Sequence, residues 1–280
     1  MTEILKAIVF GIIQGITEWL PISSTGHLIL ANQLLGLKQP AEFINLFLVV
    51  IQFGSILAVV TLYFHKLNPF SPKKSAEEKK DTWTMWLKVI AAMLPAAVIG
   101  VFADNIIEEY LSTPLVIAIT LILYGILFIA VEKRQREPRV KSIREMSLRT
   151  ALIIGFCQVL AMIPGTSRSG ATILGAVMIG TSREVAAEFS FFLAIPVMFG
   201  ASLLRTVKYI AEYGFVFQNG GGWILLIGTA VSYIVSILAI RFLMNYIRKH
   251  DFSAFGWYRI ILGVIVILYF ALTGNISASV

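Results

Sequence analysis

Long apolar runs, separated by short charged stretches, set the pattern of this chain. A helix needs about 20 apolar residues to cross a bilayer, and six runs reach that length, near 42–64, 83–103, 114–131, 185–204, 222–243 and 254–273. Two further apolar stretches are shorter and interrupted: segments 4–20 and 24–35 flank Pro21, and segments 150–163 and 167–179 flank Pro164 and Gly165. Proline removes a backbone N–H and pushes the residue before it away from helical angles, so each pair predicts helix, break, helix. Neither pair spans hydrocarbon comfortably, and a re-entrant hairpin fits better. The pattern predicts an all-α polytopic membrane protein with six transmembrane helices and two re-entrant helix-loop-helix hairpins.

Composition supports the membrane reading. The chain is 58% hydrophobic and 14% charged, with a mean hydropathy of +0.83, against roughly 25% charged residues in soluble domains. The net charge of +7 does not indicate nucleic acid, because Lys and Arg gather in short connections, as they do when they set topology. Lys66, Lys73, Lys74, Lys79 and Lys80 mark one cytoplasmic loop. Lys133, Arg134, Arg136, Arg139, Lys141, Arg144 and Arg149 mark a second, and Arg248 and Lys249 a third. The acidic connection with Asp104, Glu108 and Glu109 then faces outward, as does the C-terminus. Residues 1–20 lack a basic start and an A-x-A-like cleavage site, so they do not read as a cleaved signal. The single cysteine, Cys157, allows no internal disulfide and reads as packing.

The two interrupted stretches repeat each other. At an offset of 144, Gly11 matches Gly155, Gln14 matches Gln158, Ser23 matches Ser167, Gly26 matches Gly170, and Ile29-Leu30 matches Ile173-Leu174. After a two-residue insertion, Ala41-Glu42-Phe43 matches Ala187-Glu188-Phe189, and Phe53-Gly54 matches Phe199-Gly200. One integral membrane domain, 1–280, is thus expected to hold repeat one at about 1–132 and repeat two at about 148–280. A hairpin plus three spans per copy is an odd number of crossings, so the copies are inverted, as the basic loops independently require. The hairpins then enter from opposite sides and their tips meet near mid-membrane.

The tips carry the chemistry. The first reads Q-G-I-T-E-W-L-P-I-S-S-T-G-H from Gln14 to His27, and the second P-G-T-S-R-S-G-A-T from Pro164 to Thr172. Ionised groups cost roughly 2.5–3.5 kcal/mol at a membrane helix centre, so Glu18 and Arg168 are functional by default. Gln14 and Glu18, four residues apart, share a helix face. Ser23 or Ser24 can cap the helix after Pro21, leaving N–H groups and a partial positive charge to receive phosphate. Around Arg168, whose guanidinium can fork onto phosphate, Gly165, Thr166, Ser167, Ser169 and Thr172 form an anion cradle, which Ser23 and Thr25 extend from the first tip. The blander reading is a polar interhelical loop in which Arg168 only snorkels or pairs with a carboxylate.

The copies differ in an ordered way: Ser24 falls opposite Arg168, Glu18 opposite Met162, and His27 opposite Ala171. Proton-transfer groups lie in one tip and the fixed cation in the other. His27 suits acid/base work near neutrality. His65 and His250 read as solvated surface, Glu42 and Glu188 as first-turn residues offsetting the helix dipole, and Lys88, Arg205, Arg241 and Arg259 as snorkelling span ends. A diphosphate would meet Arg168 and two helix starts worth about half a charge each, opposed by Glu18. The thin balance favours a divalent cation, Mg²⁺ or Ca²⁺, with Glu18 as its ligand, over a protonated Glu18.

With those two motifs in that order, the chain resembles, over its whole length, the bacitracin-resistance type of undecaprenyl-diphosphate phosphatase. The resemblance implies hydrolysis of undecaprenyl diphosphate, and of shorter polyprenyl diphosphates, to the lipid monophosphate that carries cell-wall precursors. It also implies bacitracin resistance, a divalent cation, the inverted-repeat fold, and a place in the bacterial inner membrane with the site open to the outer face. By position the resemblance would make Glu18, Ser24, His27 and Arg168 the central residues, and Gln14, where the family has Glu or Gln, a substrate-binding residue that assists without itself carrying the proton. Ser24 or a water activated by Glu18 attacks phosphorus, with His27 or Glu18 taking the proton. Partners are the polyprenyl diphosphate and the bilayer, with no nucleic acid and a homodimer left open. The alternative is an inverted-repeat transporter or flippase for a lipid phosphate; a scaffold leaves the polar tips unexplained.

Overall fold

A computed structural model describes residues 2–134, 137–214 and 220–273, so the expectation for Arg136 lies outside the described residues. Eleven helices follow in order: α1 (Glu3–Thr17), α2 (Ser24–Leu35), α3 (Ala41–Leu62), the single turn α4 (Phe64–Leu67), α5 (Ala76–Leu111), α6 (Pro114–Glu132), α7 (Leu148–Val159), α8 (Arg168–Met178), α9 (Arg183–Tyr213), α10 (Gly221–Ile247) and α11 (Ser253–Thr273). A 3₁₀ turn, Leu160–Met162, extends α7. Among the described residues there is no β-strand, only an isolated bridge between Val140 and Thr181. Among the described residues six helices are long and apolar enough to cross a membrane: α3, α5 over Ala76–Gly100, α6, α9, α10 and α11. The protein is an all-α, multi-pass membrane protein.

Local sequence explains most helix ends. Ser75 and Glu78 form a reciprocal capping box at the start of α5, which satisfies two otherwise orphaned donors. That box starts α5 at Ala76, ahead of the expected 83, so Lys79 and Lys80 lie in its first turns and not in a loop. At the other end α5 continues to Leu111. The acidic stretch is therefore helix, and of its three acids only the side chain of Glu109 is described. Thr113 caps α6 with Pro114 at the first position, where a missing N–H costs nothing.

α1 packs against α10, α7 against α5, α11 against α6, and α3 against both α9 and α10. The first two crossings depend on matched glycines. A Cβ on Gly11 would stand 2.6 Å from the Gly228 carbonyl oxygen, and one on Gly155 would overlap the Ala92 carbonyl oxygen. Without a strong hydrophobic drive between helices in lipid, such close backbone approach is what holds spans together.

The basic stretches collect at one end of the bundle. Lys66 pairs with Glu188 at 2.9 Å, Arg248 with Glu184 at 3.4 Å, and Arg144 with both Glu77 and Asp81. Glu188 is thus an ion-pair partner six positions into α9 and does not sit in the helix's first turn. Lys88 does not snorkel either: it is buried and donates to the carbonyls of Ile143 and Arg144, pinning the basic connection onto α5. His65 and His250 are exposed, and Glu42 lies in the first turn of α3.

Candidate active site

Both interrupted stretches break helix and restart it in the same way. α1 ends at Thr17, Glu18 caps it with its N–H on the Gln14 carbonyl, and a turn carries the chain over Pro21. Ser23 then caps α2, its hydroxyl accepting from the Gly26 N–H at 3.4 Å. In the second stretch Ser167 caps α8 and accepts from the Gly170 N–H at 3.1 Å. Ser23 and Ser167, with φ of 73° and 71°, are the only non-glycine residues of positive φ among the described residues. Left-handed geometry costs an ordinary residue roughly 1–2 kcal/mol, and such strain persists where the surroundings over-determine it, often at functional sites.

The two breaks touch. Ser169 donates to the Glu18 carbonyl at 3.1 Å, and Arg168 Nη2 reaches Glu18 Oε1 at 3.2 Å. The second carboxylate oxygen, Oε2, accepts from Gln14 Nε2 at 3.1 Å and from the Ser24 hydroxyl at 2.9 Å. Glu18 is 7% exposed and takes three side-chain donors, one of them a cation, as a buried carboxylate requires. Arg168 also donates from Nη1 to the Ser190 carbonyl at 2.9 Å and lies over the Trp19 ring. Its Nε has no partner.

The other expected residues divide. Ser23, Ser169 and Thr172 are buried. The Thr172 hydroxyl lies 2.6 Å from that of Ser190, so these three organise the breaks from within. Thr166 is buried, Ser167 is half-buried, Gly165 adopts a φ of 87°, and Thr25 is exposed without joining the cluster. His27 is hydrogen-bonded to neither Glu18 nor Ser24. Its Nδ1 lies 2.7 Å from the Ser23 carbonyl and its Nε2 2.6 Å from the Tyr258 hydroxyl, with the two rings stacked. A carbonyl can only accept, so Nδ1 carries the proton and Nε2 receives the Tyr258 O–H.

Arg259 overturns the snorkelling expectation. It is fully buried and donates to the carbonyls of Pro21 at 3.2 Å and of Gly165 and Thr166 at 2.9 Å each, while lying over Tyr124. One guanidinium therefore ties the first break to the second. The available signal was its place: Arg259 is the seventh residue of α11, about 9 Å from its start at 1.5 Å per residue, too deep for a span end. Arg205 and Arg241 are exposed. Tyr258, Ser190 and Trp19 carried no comparable signal, because their roles come from tertiary placement.

For a divalent cation, the donor set is sparse. Among the described residues no group of three or more His, Cys, Asp or Glu could hold a metal. Glu18 alone offers a carboxylate at the site, which fits Mg²⁺ bound through one carboxylate and substrate phosphates and does not fit an all-protein cage.

Comparison with known proteins agrees with this chemistry. The profile of the family described as "Bacitracin resistance protein BacA" matches residues 7–265. The undecaprenyl-diphosphatase of Limosilactobacillus fermentum is 57% identical over 277 residues, covering 98% of this chain and all of that one. That of Enterococcus faecalis is 58% identical over 266 residues, 94% of this chain and 96% of the relative. That of Acetivibrio thermocellus is 57% identical over 272 residues, 96% of this chain and 98% of the relative.

Proposed function

This chain belongs to the bacitracin-resistance protein family, and from that premise we propose how its two helix breaks carry out the family's reaction. The protein is an undecaprenyl-diphosphatase: it hydrolyses undecaprenyl diphosphate to undecaprenyl phosphate and inorganic phosphate, renewing the lipid carrier of cell-wall synthesis.

One observation supports the division of labour. Glu18 binds the Ser24 hydroxyl on one oxygen and Arg168 on the other. Ser24 Oγ attacks the terminal phosphorus as its proton passes to Glu18 Oε2. The bond to the bridging oxygen breaks, and undecaprenyl phosphate leaves. Water then attacks the phosphoserine, the Oγ–P bond breaks as Glu18 returns its proton to Ser24 Oγ, and the water's protons leave with the released dihydrogen phosphate. Arg168 and the N–H groups at the starts of α2 and α8 stabilise the charge on the phosphoryl oxygens. His27, fixed by the Ser23 carbonyl and Tyr258, orients the α2 start and takes no proton from Ser24. Gln14 holds Glu18 in place. A divalent cation, when bound, supplies charge neutralisation of the diphosphate, with Glu18 as its protein ligand.

The two halves are read as inverted copies of one duplicated unit, each with a re-entrant pair, α1–α2 and α7–α8, whose breaks form one site. The clustered basic end is taken as cytoplasmic in the bacterial inner membrane, with the site open to the outer face. All the reacting groups come from one chain, so a homodimer is not required. Shorter polyprenyl diphosphates share the diphosphate and serve as substrates.

The test is a trap. Purified protein given farnesyl diphosphate with labelled terminal phosphate and Mg²⁺ or Ca²⁺, quenched in acid within a turnover, should carry label on Ser24 and lose it in Ser24→Ala. Rapid phosphate release with no label on Ser24 would replace serine attack by water attack.

A further inference from the structure

Gln158 is the one described side chain in which two buried polar atoms lack a hydrogen-bond partner: both its amide nitrogen and its amide oxygen are bare, at 3% exposure. Its counterpart by position, Gln14, donates to Glu18. At the position corresponding to Glu18 the second break has Met162, which offers Gln158 nothing to bond. Leaving a buried amide unsatisfied is costly, and each such group in a native protein calls for an explanation.

Gln158 lines a cavity of about 680 Å³ between α5, α7 and α9, with Ala97 and Gly100 on one wall, Pro196 and Gly200 on the other, and Met162 and Arg168 beside it. Its volume suits an organic ligand. The lining is apolar except at the end where Gln158 and Arg168 meet it, and the Arg168 Nε is also bare. The cavity lies in the halves of α5 and α9 remote from the basic end: Gly100 is about 36 Å along α5 from Ala76 at 1.5 Å per residue. An apolar trough ending in an unpaired cation edge and an unpaired amide matches an isoprenoid chain ending in phosphate.

We propose that this groove seats the polyprenyl diphosphate, with its first isoprene units between α5 and α9. Gln158 donates from Nε2 to the lipid-side phosphate, and Arg168 Nε reaches the same group. Gln158 is then a substrate-binding residue contributed by the second break. The assignment rests on the phosphatase reading above and adds to it where the lipid lies.

Steady-state hydrolysis of farnesyl diphosphate by the full chain in detergent, with thermal unfolding alongside, decides it. Gln158→Leu removes the unpaired amide, so it should raise KM about tenfold, the worth of one hydrogen bond to a charged oxygen, with kcat within about twofold and the melting temperature unchanged or higher. Unchanged KM, or a lower melting temperature with unchanged KM, makes Gln158 a packing residue and overturns the proposal. A Cβ on Gly200 meets nothing within 4 Å, so the side chain of Gly200→Leu starts in open space in the groove wall and should also raise KM. A second apolar cavity of about 520 Å³, lined by Ala254 and His27, lies against α1, α10 and α11. Ala254→Phe should leave KM as it is, and the reverse pattern places the lipid there and overturns the assignment. Loss of turnover in Glu18→Gln tests the reaction separately: if that variant kept full activity, the phosphatase mechanism would fail whatever Gln158 did.

Discussion

The two helix breaks are alike in backbone and unlike in chemistry. Each restarts its helix from a serine held in left-handed geometry that caps the residue three positions on, at Ser23 and Gly26 and again at Ser167 and Gly170. What each carries is different. The first break has Glu18 with Ser24 bonded to it, and the second has Met162 and Arg168 at the corresponding positions. In the proposed mechanism the two similar helix starts act as halves of one site, one half supplying nucleophile and base and the other a cation. Neither half is complete, which explains why Arg168 reaches across to Glu18 and why a buried Arg259 binds carbonyls of both. A site assembled this way gains a preorganised field, since its charges are fixed before substrate arrives.

The most damaging way to break that division is to remove its base. Glu18→Gln keeps the shape but cannot take the Ser24 proton, and kcat should fall about 10³-fold in a phosphate-release assay. Moving the carboxylate across, as Glu18→Met with Met162→Glu, should leave the protein as inactive, because nucleophile and base must share a break. Recovery of activity in the double variant would show the two breaks to be interchangeable. Next in size is Arg259→Met. Three carbonyls lose a charged donor and the breaks lose their tie, so kcat should fall about 10²-fold, with a lower melting temperature. Full activity there would mean that the breaks hold their register without it.

Most of the bundle was legible in the sequence because membrane spans are dictated by length and apolarity alone. Helix ends were less so: α5 begins earlier than its apolar run because Ser75 and Glu78 cap it, and it runs on through Glu108 and Glu109, since glutamate is a good helix former despite its charge. The pairing of Glu18 with Gln14 was readable from their spacing, and the repeat suggested that the two tips meet, but the Glu18–Arg168 pair itself was foreseen only as an unnamed carboxylate partner in the blander reading. Which hydroxyls face inward was not. Ser169 and Thr172 sit among the hydroxyls of one motif, yet they are buried by contacts with Glu18 and Ser190 that only tertiary packing creates. Arg259 was misjudged because a single cation in an apolar helix resembles a snorkelling end until its depth is counted.

Smaller effects sharpen the contrast. Tyr258→Phe removes the hydroxyl on His27 Nε2. If, as proposed, His27 orients the α2 start and takes no proton from Ser24, kcat should drop less than about tenfold, the worth of one neutral hydrogen bond. A loss as large as that of Glu18→Gln would return His27 to proton transfer.

The smallest effects test the likeness itself. Ser23 and Ser167 hold φ of 73° and 71°, so alanine at either position keeps the strain and loses the cap, which should destabilise by about 1 kcal/mol. Glycine loses the same cap but adopts positive φ freely. Relief of about 1–2 kcal/mol of strain then offsets much of the lost cap and of glycine's greater freedom when unfolded, leaving a smaller destabilisation than alanine's. Thermal unfolding in detergent should therefore rank alanine below glycine at both sites. Ser167→Ala should be the worse of the two alanine variants, because the Ser167 hydroxyl also lies 3.2 Å from that of Ser169. If glycine and alanine ranked one way at Ser23 and the other way at Ser167, the two helix restarts would not share one geometry. The case for a duplicated backbone carrying divided chemistry would then lose its structural half.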